Sequence, residues 1–366
     1  MRLFALLSLL FFLNFSVSAQ QEGIISETKM QEIYEEVKTP YKYGLVMVPD
    51  DEQHKMDCPT VFREGKVWYM TYLIYSGRGY ETWLAKSKDL LNWENLGRLL
   101  SFGDAGKWDD NQKAGYNALT DTKWGGNYKL SKFKGKYWMS YFGGKEKGYE
   151  TEPLSIGMAY TIKSPTVAHE WTRLPSPVLS ALDTDVRWWE NRHKLFKSSV
   201  IEDKARLTGH PFVMYYNAVG DSLVNNKKTR WYERIGMAVS DDMEHWQRYG
   251  RNPVVHHPVG ITGDGVIQKI KGAWVMFYFG AFWQDRNGSF NRFAVSKDLV
   301  NWTDWTGDNL IQSSETYDDL YAHKSFVLKY KGVVYHFYCA VNKQDQRGIA
   351  VATSKDLGKS KVNFVE

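Results

Sequence analysis

Two aspartates stand just ahead of runs of alternating aromatic and aliphatic residues, Asp57 in Met56-Asp57-Cys58-Pro59 and Asp264 in Gly263-Asp264-Gly265. Comparable places hold Asn127, which follows Trp124-Gly125-Gly126, then Phe196-Lys197, and then His323-Lys324. Hydrolysis of a glycosidic bond needs an acid to protonate the leaving oxygen and a second carboxylate that activates water or attacks directly. Two aspartates facing each other across one hollow could supply both. Glu190, in Trp188-Trp189-Glu190, is a further candidate for the acid. Lys197 and Lys324 could bind a carboxylate or sulfate on a sugar, and Trp124 and Trp188 could stack on the apolar face of a sugar ring. Each residue also has a plainer reading. An aspartate before a strand often only makes an Asx turn, a tryptophan often only packs, and the lysines could be solvated or paired with the aspartates.

The elements that must position these residues are visible as a repeat. A glycine followed by an alternating strand recurs at Gly65, Gly135, Gly209, Gly272 and Gly332, as in Gly65-Lys66-Val67-Trp68-Tyr69-Met70 and Gly272-Ala273-Trp274-Val275-Met276. Alternation of this kind marks a strand with two unlike faces. A second phrase follows: Leu84-Ala85-Lys86-Ser87-Lys88-Asp89-Leu90 with Trp93, Met237 to Met243 with Trp246, and Phe293 to Leu299 with Trp302. A stretched copy ends at Trp171, and Val351 to Leu357 closes the series without a tryptophan. One such antiparallel sheet cannot bury both faces alone. Radial stacking solves this and leaves only short edges, which predicts an all-β, five-bladed β-propeller with four-stranded blades around an axial pocket. The repeated tryptophans then belong to packing. Function belongs where the copies differ, in loops reaching the axis.

Counting eight residues back from each glycine reaches Asp57, Asn127, Asp264 and Lys324, with His323 beside it; matching strands directly adds Phe196-Lys197-Ser198. This order, an Asp-x-Pro start in the first copy, an acidic residue in the fourth and a histidine in the fifth, resembles glycoside hydrolase family 43. The resemblance implies a propeller xylosidase or arabinofuranosidase, with Asp57 as the base, Asp264 as the acid and His323 in the sugar subsite. Family 43 has Glu as that acid and a further Asp in the third blade, where this chain has Phe196-Lys197. Relatives resembling families 117 and 130 move the acid to Glu190 or His323. The expectation is an inverting, exo-acting hydrolase that releases a terminal pentose such as β-xylose or α-arabinofuranose. A phosphate-dependent phosphorylase and a non-catalytic carbohydrate-binding propeller are the alternatives.

Composition bounds the rest. Met1-Arg2, the apolar run to Phe15 and Val17-Ser18-Ala19 read as a signal peptide over residues 1–19 and imply a periplasmic or secreted protein. Residues 20–45 would be a strap, with a short helix over Met30 to Val37, and residues 46–366 one propeller domain. Two cysteines, Cys58 and Cys339, are too few for a disulfide framework and read as buried thiols. A net charge of +5 without a basic run gives no nucleic-acid signal, and no later segment is long and apolar enough to span a bilayer as a helix. The partner expected is an oligosaccharide or polysaccharide, to which 15 Trp and 23 Tyr are suited. His256-His257 has no companions at ligand spacing, so no cofactor or metal is expected, although the resemblance admits an axial calcium.

Overall fold

The computed structural model describes residues 24–103, 105–224, 227–283 and 288–365, so the signal-peptide reading of residues 1–19 lies outside the described residues. One helix, α1 (Glu27–Val37), precedes the strands. Ser26 caps it by accepting the Lys29 N–H, and Met30, Ile33 and Val37, spaced along one face, are buried. That face packs on Val275, Phe277, Phe293 and Val327, so it helps to cover two later sheets.

The rest is β. β1 (Tyr41–Met47) leaves the strap, and β2 (Lys55–Glu64), β3 (Val67–Tyr75), β4 (Tyr80–Ser87) and β5 (Trp93–Leu100) form one four-stranded antiparallel sheet. A second comprises β6 (Gln112–Asn117), β7 (Tyr137–Gly144), β8 (Leu154–Thr161) and β9 (Thr172–Arg173). Two further antiparallel runs follow. The first is β10 (Leu195–Glu202), β11 (Phe212–Val224), β12 (Lys227–Ser240) and β13 (Gln247–Arg248), and the second is β14 (Ile261–Ile270), β15 (Ala273–Ala281), β16 (Ser289–Ser296) and β17 (Trp302–Asp304), with β18 (Ile311–Gln312) also on β16. A single parallel pair, Glu233 with Ile261, joins these runs into one nine-stranded sheet. Finally β19 (Tyr321–Tyr330), β20 (Val333–Val341) and β21 (Arg347–Thr353) pair in order, and β1 adds to β21 with Tyr41 opposite Thr353. Strands from the two ends of the described chain thus share a sheet, which ties the strap to the C-terminal region.

The repeated residues do structural work. Ser87, Ser240 and Ser296 each accept main-chain N–H groups of the Ser-x-Asp turn, and Leu90, Met243 and Leu299 turn the chain at φ 72°, 69° and 69°. The Trp93, Trp246 and Trp302 indole N–H groups then donate to the carbonyls of those same three residues at 3.1, 3.0 and 3.1 Å. Equivalent residues make equivalent bonds, as packing requires.

Candidate functional site

The first strand of each of four units is irregular where it approaches the centre. Its register shifts between Asp57 and Thr60, Phe196 and Ser198, Gly263 and Val266, and His323 and Phe326. At three of these bulges a non-glycine residue has positive φ: Cys58 at 48°, Asp264 at 61° and Lys324 at 56°. A bulge bends its strand and re-aims a side chain, and such left-handed residues cost energy that is commonly tolerated at working sites. Here they turn Cys58, Lys197, Asp264, His323 and Lys324 into one cavity of ≈280 Å³.

Asp57 lies beneath that cavity and does not line it. It is 0% exposed, and its oxygens accept the Cys58 N–H at 2.9 Å, the Tyr80 hydroxyl at 3.0 Å and the Lys324 ammonium at 2.7 Å, with Arg347 at 3.8 Å. Burial alone would raise its carboxyl, but Lys324 and Arg347 outweigh it and hold the group far below the ordinary carboxylate range. Lys324 is reciprocally held well above its ordinary value, because Asp57 outweighs the cost of burial. Asp264 is 2% exposed and receives the Asn217 amide at 2.7 Å, with the Lys197 ammonium 3.6 Å away. Lys197 also lies 5.0 Å from the centre of the Tyr116 ring, and its ammonium has no hydrogen-bond partner within the protein. The Cys58 thiol stands 3.6 Å from Asp57 and 3.8 Å from Asp264, so those two carboxylate oxygens are at most about 7.4 Å apart. Burial pushes that thiol well above its ordinary pKa.

His323 is held down to about 3 by burial and by Lys324, so its ring is neutral. Its Nδ1 faces the Cys339 carbonyl at 3.2 Å. A carbonyl only accepts, so Nδ1 carries the proton and Nε2 is an acceptor. Ligand atoms of Asp57, His323 and Cys339 come within 4.8 Å of one another. With a lysine ammonium already on Asp57 and the Cys339 thiol kept protonated by burial, this trio does not suit a metal.

Besides Asp57, four expected residues are not brought to the cavity. Asn127 is exposed in the loop between β6 and β7, where its side chain accepts the Lys129 N–H. The eight-residue count fails there because the chain makes a long excursion before Gly135, and Tyr116 of β6 takes the cavity position instead. Trp124 donates to Glu36 at 2.8 Å and stacks on Phe277 in the packing beneath α1. Glu190 is 0% exposed within an ion-pair cluster, bound to Arg248 at 2.7 Å and to the Tyr216 hydroxyl, and Arg248 also reaches Asp183 and Asp185. Trp188 is 58% exposed, lies outside the cavity lining, and carries Arg234 5.5 Å above its ring.

Other lining residues escaped the sequence reading. Glu150, Glu233, Tyr80, Tyr149 and Arg347 all face the cavity. Each belongs to or adjoins the hairpin between the second and third strands of a unit. Antiparallel pairing puts that hairpin at the same end as the start of the first strand: Gln112 pairs with Gly144, and Val341 pairs with both Tyr321 and Arg347. Both loops of a unit therefore reach the centre, a signal the repeat contained. Glu150 lies 3.9 Å from Lys324 and is raised by burial, which Lys324 opposes without cancelling.

A solved structure described as "Glycoside hydrolase" is 52% identical to this chain, with a TM-score of 0.90 over 94% of this chain and 99% of its own. The chain belongs to the glycoside hydrolases. A second structure, described as an RGII complex of BT0996, has the same 52% identity, TM-score of 0.90 and coverage. A thermostable family-43 glycoside hydrolase shares the hydrolase's fold at 15% identity and a TM-score of 0.56, covering 87% of this chain and 96% of that one. The family 117 glycoside hydrolase Zg3597 of Zobellia galactanivorans does so at 15% and 0.62, covering 87% and 91%. No protein-family model and no curated protein matches the chain. This hydrolase therefore carries its glycosidase chemistry on an all-β frame of several antiparallel sheets, and the family 43-like resemblance of its sequence holds.

Proposed function

We propose that this glycoside hydrolase is an exo-acting enzyme in which Glu150 donates the proton and Glu233 is the second carboxylate. The observation that carries the reading is the cavity lining. Among the described residues, Glu150, Glu233 and Asp264 are the carboxylates that reach it, and Asp57 does not. An acid must hold its proton at working pH, and burial tilts Glu150 that way. Asp264 is the less apt partner, because it lies deeper, 2% exposed against 7% for Glu233, with Asn217, Lys197 and Cys58 around its oxygens. Asp57 then fixes Lys324 from behind, and with Asp57 covered, the inverting geometry built on the Asp57–Asp264 pair is not retained. A spacing of roughly 5–5.5 Å between reacting carboxyls supports retention and about 6.5–9.5 Å inversion, so product-anomer NMR decides the outcome.

A cavity of ≈280 Å³ lies just below the roughly 300–1,000 Å³ that ligand pockets span, which suits one terminal ring. We read the antiparallel units as five blades around that axis, and the ring as a pentose such as arabinofuranose or xylose at the end of an RGII-type oligosaccharide. The similar structure described as an RGII complex supports that choice of glycan. The amino-terminal apolar run supports a periplasmic or secreted location. The test is turnover of RGII fragments and aryl pentosides by the wild type, Glu150→Gln and Glu233→Gln. Loss in both variants with the fold retained supports the assignment. Near-normal turnover in either removes that residue from it.

A further inference from the structure

A second cleft lies on the second sheet, apart from the residues that line the axial cavity. It has a volume of ≈430 Å³, and its lining includes Lys107, Trp108, Asp109, Glu170, Trp171 and Arg173. Its size falls in the range of small-ligand sites, about 300–1,000 Å³. We propose that this cleft is an accessory glycan-binding site, with Trp108 as the platform for a sugar ring and Asp109 and Glu170 as hydroxyl partners.

Three observations support it. Trp108 is fixed in place: its ring stacks on Tyr141 with centroids 5.6 Å apart, and a Cβ on Gly143 would fall 2.5 Å from the indole. Gly143 therefore leaves room for the indole to lie on β7. The indole stays half-buried, with surface left for a ligand. Second, the polar groups under the platform are not all satisfied. Asp109 is 0% exposed; one oxygen accepts the Tyr141 hydroxyl at 2.8 Å and pairs with Arg173, while Oδ1 has no hydrogen-bond partner. The Lys113 ammonium, also buried, has none either. Buried polar atoms are nearly always bonded, so Asp109, which lines the cleft, marks where a ligand hydroxyl or water belongs. Third, the platform lies outside the repeat: Trp108 and Asp109 come from the connection between β5 and β6, where the copies diverge, whereas Trp171 beside them is one of the repeated tryptophans. An aromatic platform beside carboxyl and guanidinium groups is the chemistry of saccharide recognition. A site there would hold a long chain while the axial cavity works on its end.

The inference extends the polysaccharide reading, and its test separates the two. Retardation in native gels containing RGII, arabinan or xylan is measured for the full chain with Glu150→Gln, with and without Trp108→Ala or Trp108→Phe. Turnover of an aryl pentoside is measured for Trp108→Ala alone. The expected result is retardation on at least one polysaccharide, weakened about tenfold by Trp108→Ala, partly restored by Trp108→Phe, and unchanged aryl pentoside turnover. Absence of retardation on all three polysaccharides, equal retardation with Trp108→Ala, or loss of turnover with it overturns the proposal. An enzyme inactive on every aryl glycoside but still retarded through Trp108 would sink the catalytic reading and leave this one standing.

Discussion

Asp57→Asn is the most informative substitution, because the buried ion pairs of Asp57 predict the behaviour of an anchor and the sequence pattern that of a base. Asparagine keeps the shape but not the charge, so Lys324, 2.7 Å away, and Arg347, 3.8 Å away, would lose their counter-charge. Removing one partner of a buried ion pair costs about 3–5 kcal/mol, chiefly by leaving the other charge uncompensated. For a chain of 366 residues, which unfolds with about 2.1 cal/mol/K of entropy per residue, that is a fall in Tm of roughly 4–7 °C. The pH dependence has a definite sign. The native carboxyl is held far below its ordinary value, so its contribution is fully present above the unfolded pKa of about 3.9 and is lost as pH falls through the native one. The gap between wild type and variant should therefore be constant from pH 6 to 8 and shrink in strong acid. Thermal unfolding by circular dichroism at several pH values measures it. Adding Lys324→Met should recover part of the loss, since the stranded charge is then gone. A Tm within about 2 °C of wild type, or a double variant less stable than the single one by the full sum, would refute the reasoning.

Glu150→Gln should lower kcat about 10²–10⁴-fold on substrates with poor leaving groups and much less on aryl glycosides whose leaving group needs no proton. Because burial raises the Glu150 carboxyl, wild-type activity should be present at lower pH and fall as pH rises through that raised value; this alkaline limb should vanish in the Gln variant. Glu190→Gln should lower stability by about 1–3 kcal/mol, since Arg248 loses its buried partner but keeps Asp183 and Asp185, with kcat unchanged in the folded fraction, as thermal melts and initial rates would show. Asn127→Ala, on an exposed turn, should leave kcat/KM within about twofold of wild type in the same assay.

Much of this protein was legible in its sequence, because strand alternation and turn chemistry are local. The glycine-led strands, the Ser-x-Asp turns with their tryptophans and the α1 stripe of Met30, Ile33 and Val37 each follow from neighbours a few residues apart. Position within the repeat likewise brought Lys197, Asp264, His323 and Lys324 to one cavity, because equivalent strands make equivalent bulges. Long-range geometry decided the remainder. Glu150 and Glu233 arrive on hairpins whose length no repeat fixes, and Asn127 falls away because one copy carries a long loop. Whether a carboxylate meets substrate or serves as a buried counter-ion depends on which distant cations reach it: Lys324 and Arg347 cover Asp57, and Arg248 captures Glu190. Charge pairing acts through space between residues far apart in the sequence, so only the folded arrangement could separate the acid that lines the cavity from the acid that supports its floor.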